Sequence, residues 1–321
     1  MIRLRPARMG FPSSDKFLCA LVAIALCSVG CSRSQQSAAP AGPQTFASAD
    51  IAGQTIYAAA KAGDTNALLS VFGSGAKELL LSGDPVQDKA ALDTFSNKYD
   101  EMHRWGKLTQ GGLVLDVGAE NYPFPFALKM NSAGQWYFDT SSAKGEILAR
   151  RIGGNELSTI EVLNAMKDAQ AEYFSQLHDG SKAHAYAQKF VSDDGKQNGL
   201  YWKVGDGQAE SPLGPLAAYA SNEGYSSVSQ GQQPYHGYFF RMIAKQGPQA
   251  RGGAKDYIVR EEMTGGFAIL AYPAEYANSG VVSFVINQDG NVYEKDLGAN
   301  TSEVAKTITS YDPDNTWSAV E

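Results

Sequence analysis

The segment NELSTIEVLNAMKDAQAEYFSQL, Asn155 to Leu177, predicts one long amphipathic helix in the second half of the chain. Gly153-Gly154 is predicted to break the chain ahead of it, so that Asn155 caps a helix that begins at Glu156. Apolar side chains recur every three or four residues, which places them on one buried stripe. The stripe consists of Ile160, Leu163, Met166, Ala169, Tyr173 and Leu177.

Strands are predicted after this helix, beyond a loop-rich stretch from Asp193 to Pro234 with Gly and Pro punctuation. They lie at YFFRMIA, DYIVR, GFAILAY, VVSFVIN and NVYEKD, and Asp289-Gly290 favours a tight hairpin between the last two. A short helix from Ser302 to Ser310 follows. The pattern indicates a long helix packed on an antiparallel β-meander.

The first half reads as helices followed by a small antiparallel sheet. Ser48 is expected to cap a helix that ends at Ala62, Asp64 caps TNALLSVF, and a third helix runs from Val86 to His103. Strands are expected at GLVLDV, FPFALKM and QWYFD. The whole body is therefore predicted to be α+β.

The apolar leader FLCALVAIALCSVGC ends at Cys31 and predicts export. Its uncharged run between Lys16 and Arg33 is 16 residues long, and four basic residues lie at or before Lys16. A membrane-spanning helix needs about 20 apolar residues, whereas the centre of an export signal needs about 7–15. Residues 1–30 are therefore expected to be a cleaved signal peptide.

Ser28-Val29-Gly30-Cys31 resembles a bacterial lipoprotein cleavage box, although Ser28 stands where Leu is usual. The resemblance implies lipidation of Cys31 and a lipid anchor in the periplasm. Ser32 favours the outer membrane over the inner one, because an aspartate at that place retains such lipoproteins in the inner membrane. An ordinary cleaved signal with an incidental cysteine is the alternative.

Residues 31–45 contain no large apolar side chain after Cys31 and predict a flexible tether. The folded body is then expected to divide into residues 46–152 and residues 153–321. Removing residues 1–30 takes away four basic residues and one acidic residue, which leaves 23 and 33 and a net charge of −10. No nucleic-acid partner is predicted, since no cluster of Lys or Arg follows the leader.

No motif of a known catalytic or cofactor site occurs. HExxH, GxSxG, a P-loop, GxGxxG and CxxC are all missing, so no cofactor is predicted. His178 and His184 are six residues apart, which does not place them on one helix face, so no metal site is predicted. The pairs Asp193-Asp194 and Asp312/Asp314 can serve either calcium or ordinary turns, and turns are favoured.

One aromatic group is the candidate ligand site. It consists of Tyr201, Trp202, Tyr235, His236 and Tyr238, which are suited to stack on and hydrogen-bond a sugar or a peptide. The alternative is that these side chains pack the sheet on its helix. The adjacent Glu261 and Glu262 are expected to point to opposite faces of a strand, which disfavours joint acid–base catalysis.

Three resemblances accompany these patterns. AAKAGDTNALLSVF and GQWYFD resemble parts of NTF2-like domains, which implies a cone-shaped first half with room for a ligand. NELSTIEVLNAMKDAQAEYFS resembles the helix of type IV pilin-like heads. YPFPFAL, RRIGGNEL, YWKVGDGQAESPLGPL, PYHGYFFRM and DPDNTW resemble the bacterial family DUF2950, whose function is unknown.

The expected function is non-enzymatic binding, scaffolding or assembly at the cell envelope. The membrane is the expected partner through the N-terminal lipid, together with an envelope protein or glycan. Two alternatives are a hydrolase that acts on an envelope polymer and a small-ligand carrier with a pocket in the first half. A cleft with His236 beside carboxylates would favour the hydrolase, and a sizeable apolar cavity would favour the carrier.

Overall fold

The computed structural model describes residues 42–205, 209–226 and 233–320, which form an α+β fold as predicted. Two hydrophobic cores lie within these residues. The first is built from buried side chains between Phe46 and Ala143, and the second from side chains between Val162 and Tyr311. The leader, Cys31 and most of the tether lie outside the described residues.

Helices α1 to α4 cover the first core. They are α1 (Ala49–Lys61), α2 (Thr65–Phe72), α3 (Lys77–Leu80) and α4 (Pro85–Glu101), with a 3₁₀ turn at Ser74–Ala76. Ser48 accepts the Ile51 N–H at 3.2 Å and Asp64 accepts the Ala67 N–H at 2.9 Å. These caps satisfy backbone donors that a helix start leaves free, and they confirm the two predicted starts.

An antiparallel sheet closes the first core. Its strands are β1 (His103–Lys107), β2 (Leu113–Val117), β3 (Tyr122–Pro123), β4 (Ala127–Met130) and β5 (Trp136–Asp139). The order is β1-β2-β4-β5, and β3 pairs with β2. The sequence HRWGK of β1 was not predicted, because no alternation of apolar residues marks this largely exposed strand.

Aromatic rings fill the space between helices and sheet. The Phe72 ring lies 4.6 Å from that of Phe126 and 5.2 Å from that of Phe138. Leu115 and Leu128 are fully buried beneath them. Phe46 joins this core through backbone hydrogen bonds of 2.8 Å in both directions with Trp136.

Helix α5 (Lys144–Phe174) begins well before Glu156, so the predicted break at Gly153-Gly154 is wrong. Glycine inside a helix costs about 1 kcal/mol relative to alanine, which does not prevent a helix that is held by tertiary contacts. Asn155, the predicted cap, is buried within the helix and donates to the Ser279 carbonyl at 2.8 Å. The predicted domain boundary therefore falls inside α5, and a division into two domains stays a prediction.

The second sheet packs against the C-terminal part of α5. Its strands are β6 (Tyr238–Ile243), β9 (Ala268–Pro273), β10 (Val282–Asn287), β11 (Tyr293–Asp296) and β12 (Ser318–Ala319), in the antiparallel order β12-β11-β10-β9-β6. The short strands β7 (Lys245–Gln246) and β8 (Lys255–Asp256) pair separately. Leu163, Met166, Ala169 and Tyr173 are buried as predicted, whereas Leu177 lies beyond the helix and is exposed.

Three further segments complete the second half. Helix α6 (Gly214–Asn222) lies in the predicted loop region, and α7 (Thr301–Thr307) matches the predicted short helix. DYIVR contributes only its first residue to a strand, because the chain turns back at Val259–Glu262, with positive φ at Arg260 and Glu261. The predicted turn at Gly290 is confirmed: its φ is +82° and its N–H donates to the Asn287 carbonyl.

Candidate ligand-binding cavity

A cavity of about 500 Å³ lies in the first half, between α1–α4, the segment from Phe124 to Phe126 and the N-terminal half of α5. Cavities of about 300–1,000 Å³ are typical of small-molecule sites. Most of the lining is apolar, and the side chains involved are those of Ile56, Ala60, Leu68, Phe72, Leu79, Leu80, Ala91, Leu92, Phe95, Phe124 and Phe126. The cavity is thus suited to an apolar molecule.

Polar side chains meet in this cavity where α4 begins and α5 passes it. Gln87 and Asp88 come from the first turns of α4, and Arg151 and Asn155 lie one turn apart on α5. Gln87 Nε2 donates to Asn155 Oδ1 at 2.9 Å and thereby joins the two helices. An occupant with one polar end would find hydrogen-bonding groups here.

Arg151 connects three segments around this cavity. Its Nη1 donates to the Glu78 carbonyl at 2.8 Å and to Asn278 Oδ1 at 2.5 Å, and its Nη2 donates to the Leu79 carbonyl at 2.6 Å. Burial lowers the pKa of Arg151, and the carboxylates of Asp88 and Glu275 oppose that effect. The guanidinium therefore connects α5 to α3 and to the loop that contains Asn278.

Asp88 is the acidic side chain of the cavity. Its Oδ1 accepts the Ser82 N–H at 2.9 Å. Burial raises the pKa of Asp88, although the hydrogen bonds from Ser82 and the charge of Arg151 act in the opposite direction. No basic side chain within the described ranges forms an ion pair with it. The carboxylate is thus partly desolvated without a contacting cation.

Gly154 leaves part of the wall without a side chain. A Cβ added to Gly154 would meet no atom within 4 Å, and the same holds for Gly153. Of these two glycines, Gly154 lines the cavity. A large side chain at position 154 would therefore occupy space that a ligand needs.

A surface groove of about 770 Å³ adjoins the cavity between α2, α3 and the start of α4. Leu68, Leu80, Asp88 and Leu92 line both spaces. Asp88 therefore lies at the partition between the cavity and the groove.

A buried polar junction lies behind the Gln87–Asn155 pair. Asp84 is fully buried; its Oδ1 caps α4 by accepting the Val86 and Gln87 N–H groups. Its Oδ2 accepts the Tyr225 O–H at 2.7 Å and the Gly237 N–H at 3.1 Å. One carboxylate thus connects a helix on the first core to the start of β6 on the second core.

His236 belongs to this junction. It precedes Gly237 in a tight turn, and both residues have positive φ, 49° and 74°. The His236 Nε2 lies 3.1 Å from Glu223 Oε2, and the Nδ1 lies 3.4 Å from Gln87 Nε2. Both ring nitrogens therefore have partners within the junction.

The structure does not bring the five predicted ligand-binding residues into one groove. Tyr235 and His236 are neighbours whose rings lie 4.3 Å apart. Tyr238 is fully buried in the second core, where its O–H donates to the Val282 carbonyl. Trp202 packs instead on the Tyr173–His178 pair, and Tyr201 forms a bridge with Val191. A ligand-binding role for these residues stays a prediction.

The acidic stretches form turns. Asp193 accepts hydrogen bonds from Lys189 and Asn198, Asp312 accepts the Gln249 and Ala250 N–H groups, and Asp314 accepts from Thr316. Within the described part of the chain, no three His, Cys, Asp or Glu side chains converge as metal ligands. Within the same part, no helix combines the length and apolar character needed to cross a membrane.

Sequence reasoning missed Gln87, Asp88, Arg151 and Gly154 as lining residues. Asp88 and Arg151 lie 63 positions apart in sequence, and neither belongs to a recognised motif. The usable signal is the Gly pair, since a helix that continues through Gly153-Gly154 places Arg151 and Asn155 one turn apart.

The family model "Protein of unknown function (DUF2950)" matches residues 43–320, so the chain belongs to the DUF2950 family. Neither the curated proteins nor the solved structures include a match to the chain. The resemblances to NTF2-like domains and to pilin-like heads are not confirmed by these comparisons.

Proposed function

We propose that the protein is a non-enzymatic binding protein of the cell envelope and holds a small amphipathic molecule in the cavity of its first half. The observation that carries this proposal is the cavity of about 500 Å³ with apolar walls and a polar corner. Moving apolar surface from water into such a cavity releases about 25 cal/mol per Å². The polar corner at Asp88 would orient the occupant.

The location in the envelope is supported by the sequence of the leader. The basic, apolar residues 1–30 and the box that ends at Cys31 are typical of an exported lipoprotein. A lipid on Cys31 and the tether of residues 31–45 would keep the binding body near the membrane, with the outer membrane favoured. An envelope protein or glycan is the proposed partner that delivers or receives the ligand.

The hydrolase alternative has less support from the geometry. His236 does not line the cavity, and both its ring nitrogens are occupied by Glu223 and Gln87. A general base needs a nitrogen directed at the proton that it removes.

Filling the cavity tests the proposal. The purified protein is titrated with the neutral fluorophore N-phenyl-1-naphthylamine, whose emission rises in apolar surroundings. Gly154→Phe should weaken saturable binding at least about tenfold, because the ring occupies the cavity. Gly153→Phe is the matched control, since it adds the same ring at a neighbouring glycine that does not line the cavity; its affinity should stay within about twofold of the unsubstituted protein.

Two results would contradict the proposal. One is the absence of saturable fluorophore binding by the unsubstituted protein. The other is equal binding by the Gly154→Phe and Gly153→Phe variants, with circular dichroism spectra that show both to be folded.

A further inference from the structure

We infer that the cavity selects a ligand whose apolar body ends in a primary ammonium group, and that Asp88 is the group that receives it. This inference rests on the proposed function and adds the chemical class of the ligand. It depends on three observations: the position of Asp88, the charges around it, and the hydrogen bonds that neighbouring polar side chains already make to the protein.

Asp88 lies where a polar end of an apolar ligand would reach it from either space. It lines both the cavity and the adjoining groove, among Leu68, Leu80 and Leu92. Among the described residues, its hydrogen-bond donors come from Ser82 alone, and an ionised carboxylate can accept about four hydrogen bonds. Asp88 therefore has acceptor capacity that a ligand N–H can use.

The charges that act on this corner sum to a negative value. Asp84 acts on Asp88 and Glu275 acts on Arg151, so three carboxylates lie near the Arg151 guanidinium. Arg150 also lines the cavity, but Glu146 neutralises its charge in an ion pair of 2.6 Å. Three other charged side chains line the groove, and they do not make the sum positive. Lys89 pairs with Asp93 at 2.5 Å and Glu78 with Lys144 at 2.8 Å, so their charges are neutralised. Only the single positive charge of Lys77 is then added among the described lining residues. A cation is thus favoured over an anion in contact with Asp88.

The neighbouring polar groups are already engaged with the protein. Arg151 donates to two backbone carbonyls and to Asn278. Gln87 faces Asn155 and His236, and Asn155 donates to the Ser279 carbonyl. Asp88 therefore offers the best remaining contact for a charged ligand.

The desolvation of Asp88 also favours an ammonium ligand. Burial raises the pKa of Asp88, which means that the ionised carboxylate is disfavoured at this partly buried position. An ammonium group in contact with Asp88 would compensate for the lost hydration of the carboxylate. A hydroxyl of the same size would donate a hydrogen bond without supplying the charge.

Three ligands with the same chain test this selectivity at neutral pH. Octylamine, octanol and octanoate each compete with N-phenyl-1-naphthylamine for the purified protein. We expect octylamine to compete about tenfold more strongly than octanol, which is the usual gain from a charge-assisted hydrogen bond, and octanoate to be the weakest. In Asp88→Asn, the amine and the alcohol should compete to within about twofold of each other.

Asp100→Asn is the matched control. It removes the same charge from the same helix, but Asp100 is exposed and pairs with Lys61 outside the cavity. It should keep the preference for the amine. A preference for octanoate, equal competition by all three ligands, or an amine preference that survives Asp88→Asn would overturn the inference and leave the proposed function standing. Failure of the fluorophore itself to bind would refute both.

Discussion

Replacing Asp84 with alanine tests whether the two cores are joined energetically. Asp84 is fully buried and accepts four hydrogen bonds, two from the start of α4 and two from Tyr225 and Gly237. The first pair belongs to the element that covers the first core. The second pair belongs to segments of the second half. The substitution should therefore lower the stability of both halves.

The expected loss follows from these contacts. Removing a helix cap costs about 1 kcal/mol. The substitution also leaves the Tyr225 O–H and the Gly237 N–H without their acceptor, and each buried unsatisfied donor costs about 1–3 kcal/mol. We therefore expect Asp84→Ala to lower the free energy of unfolding by about 3–7 kcal/mol, a large part of the 5–15 kcal/mol typical of folded proteins.

Tryptophan fluorescence during urea unfolding can report each half separately. Trp105 and Trp136 lie in the first half, whereas Trp202 and Trp317 lie in the second. One pair at a time is replaced by phenylalanine, and unfolding is followed with and without Asp84→Ala. The unfolding midpoints reported by the two tryptophan pairs should shift to lower urea concentration by the same amount, because the junction stabilises both cores.

The capping variant Asp64→Ala provides the control. Asp64 caps α2 at an exposed site through the Ala67 N–H, so its loss should cost only about 1 kcal/mol. A double-mutant cycle between Asp84→Ala and Tyr225→Phe should give a coupling energy of about 1.5–3 kcal/mol. A loss below about 1 kcal/mol for Asp84→Ala, or a shift of one reporter without the other, would refute the reasoning.

Three further predictions concern single side chains. Gly153→Ala should raise the free energy of unfolding in thermal melts by about 0.5–1 kcal/mol, since its Cβ meets no atom within 4 Å; destabilisation would contradict a continuous α5. Burial raises the pKa of Asp88, so the stability contributed by its protonated form is present in acid and lost as the pH rises through the folded-state pKa. Asp88→Asn should therefore stabilise the protein at neutral pH but not in acid, and an equal gain at both pH values would contradict this. The hydrogen bond from Lys129 at 2.6 Å, with that from Ser141, lowers the pKa of Asp139. The stability that ionised Asp139 contributes is present above about pH 4, the unfolded-state pKa, and is lost as the pH falls through the lower folded-state pKa. The stability of Asp139→Asn should therefore lack this loss in acid.

Local signals in the sequence predicted much of the fold. The caps at Ser48 and Asp64 act within three residues of themselves, and the stripe on α5 follows from periodicity along one helix. The strand β1 and the true start of α5 were missed for the opposite reason. Exposed strand residues carry no apolar alternation. A Gly pair can continue a helix that tertiary contacts hold, such as those of Arg151 with the carbonyls of Glu78 and Leu79.

The sequence by itself determined the α+β class, most helix and strand positions and the family, because these depend on neighbouring residues or on a pattern along the whole chain. Only the tertiary structure decided the cavity, the placement of Asp88 beside Arg151 and the junction at Asp84. These features bring together side chains that are tens to more than a hundred residues apart, and no local preference of either partner specifies that contact. Their positions follow from the packing of two cores around α5, which is a property of the folded chain.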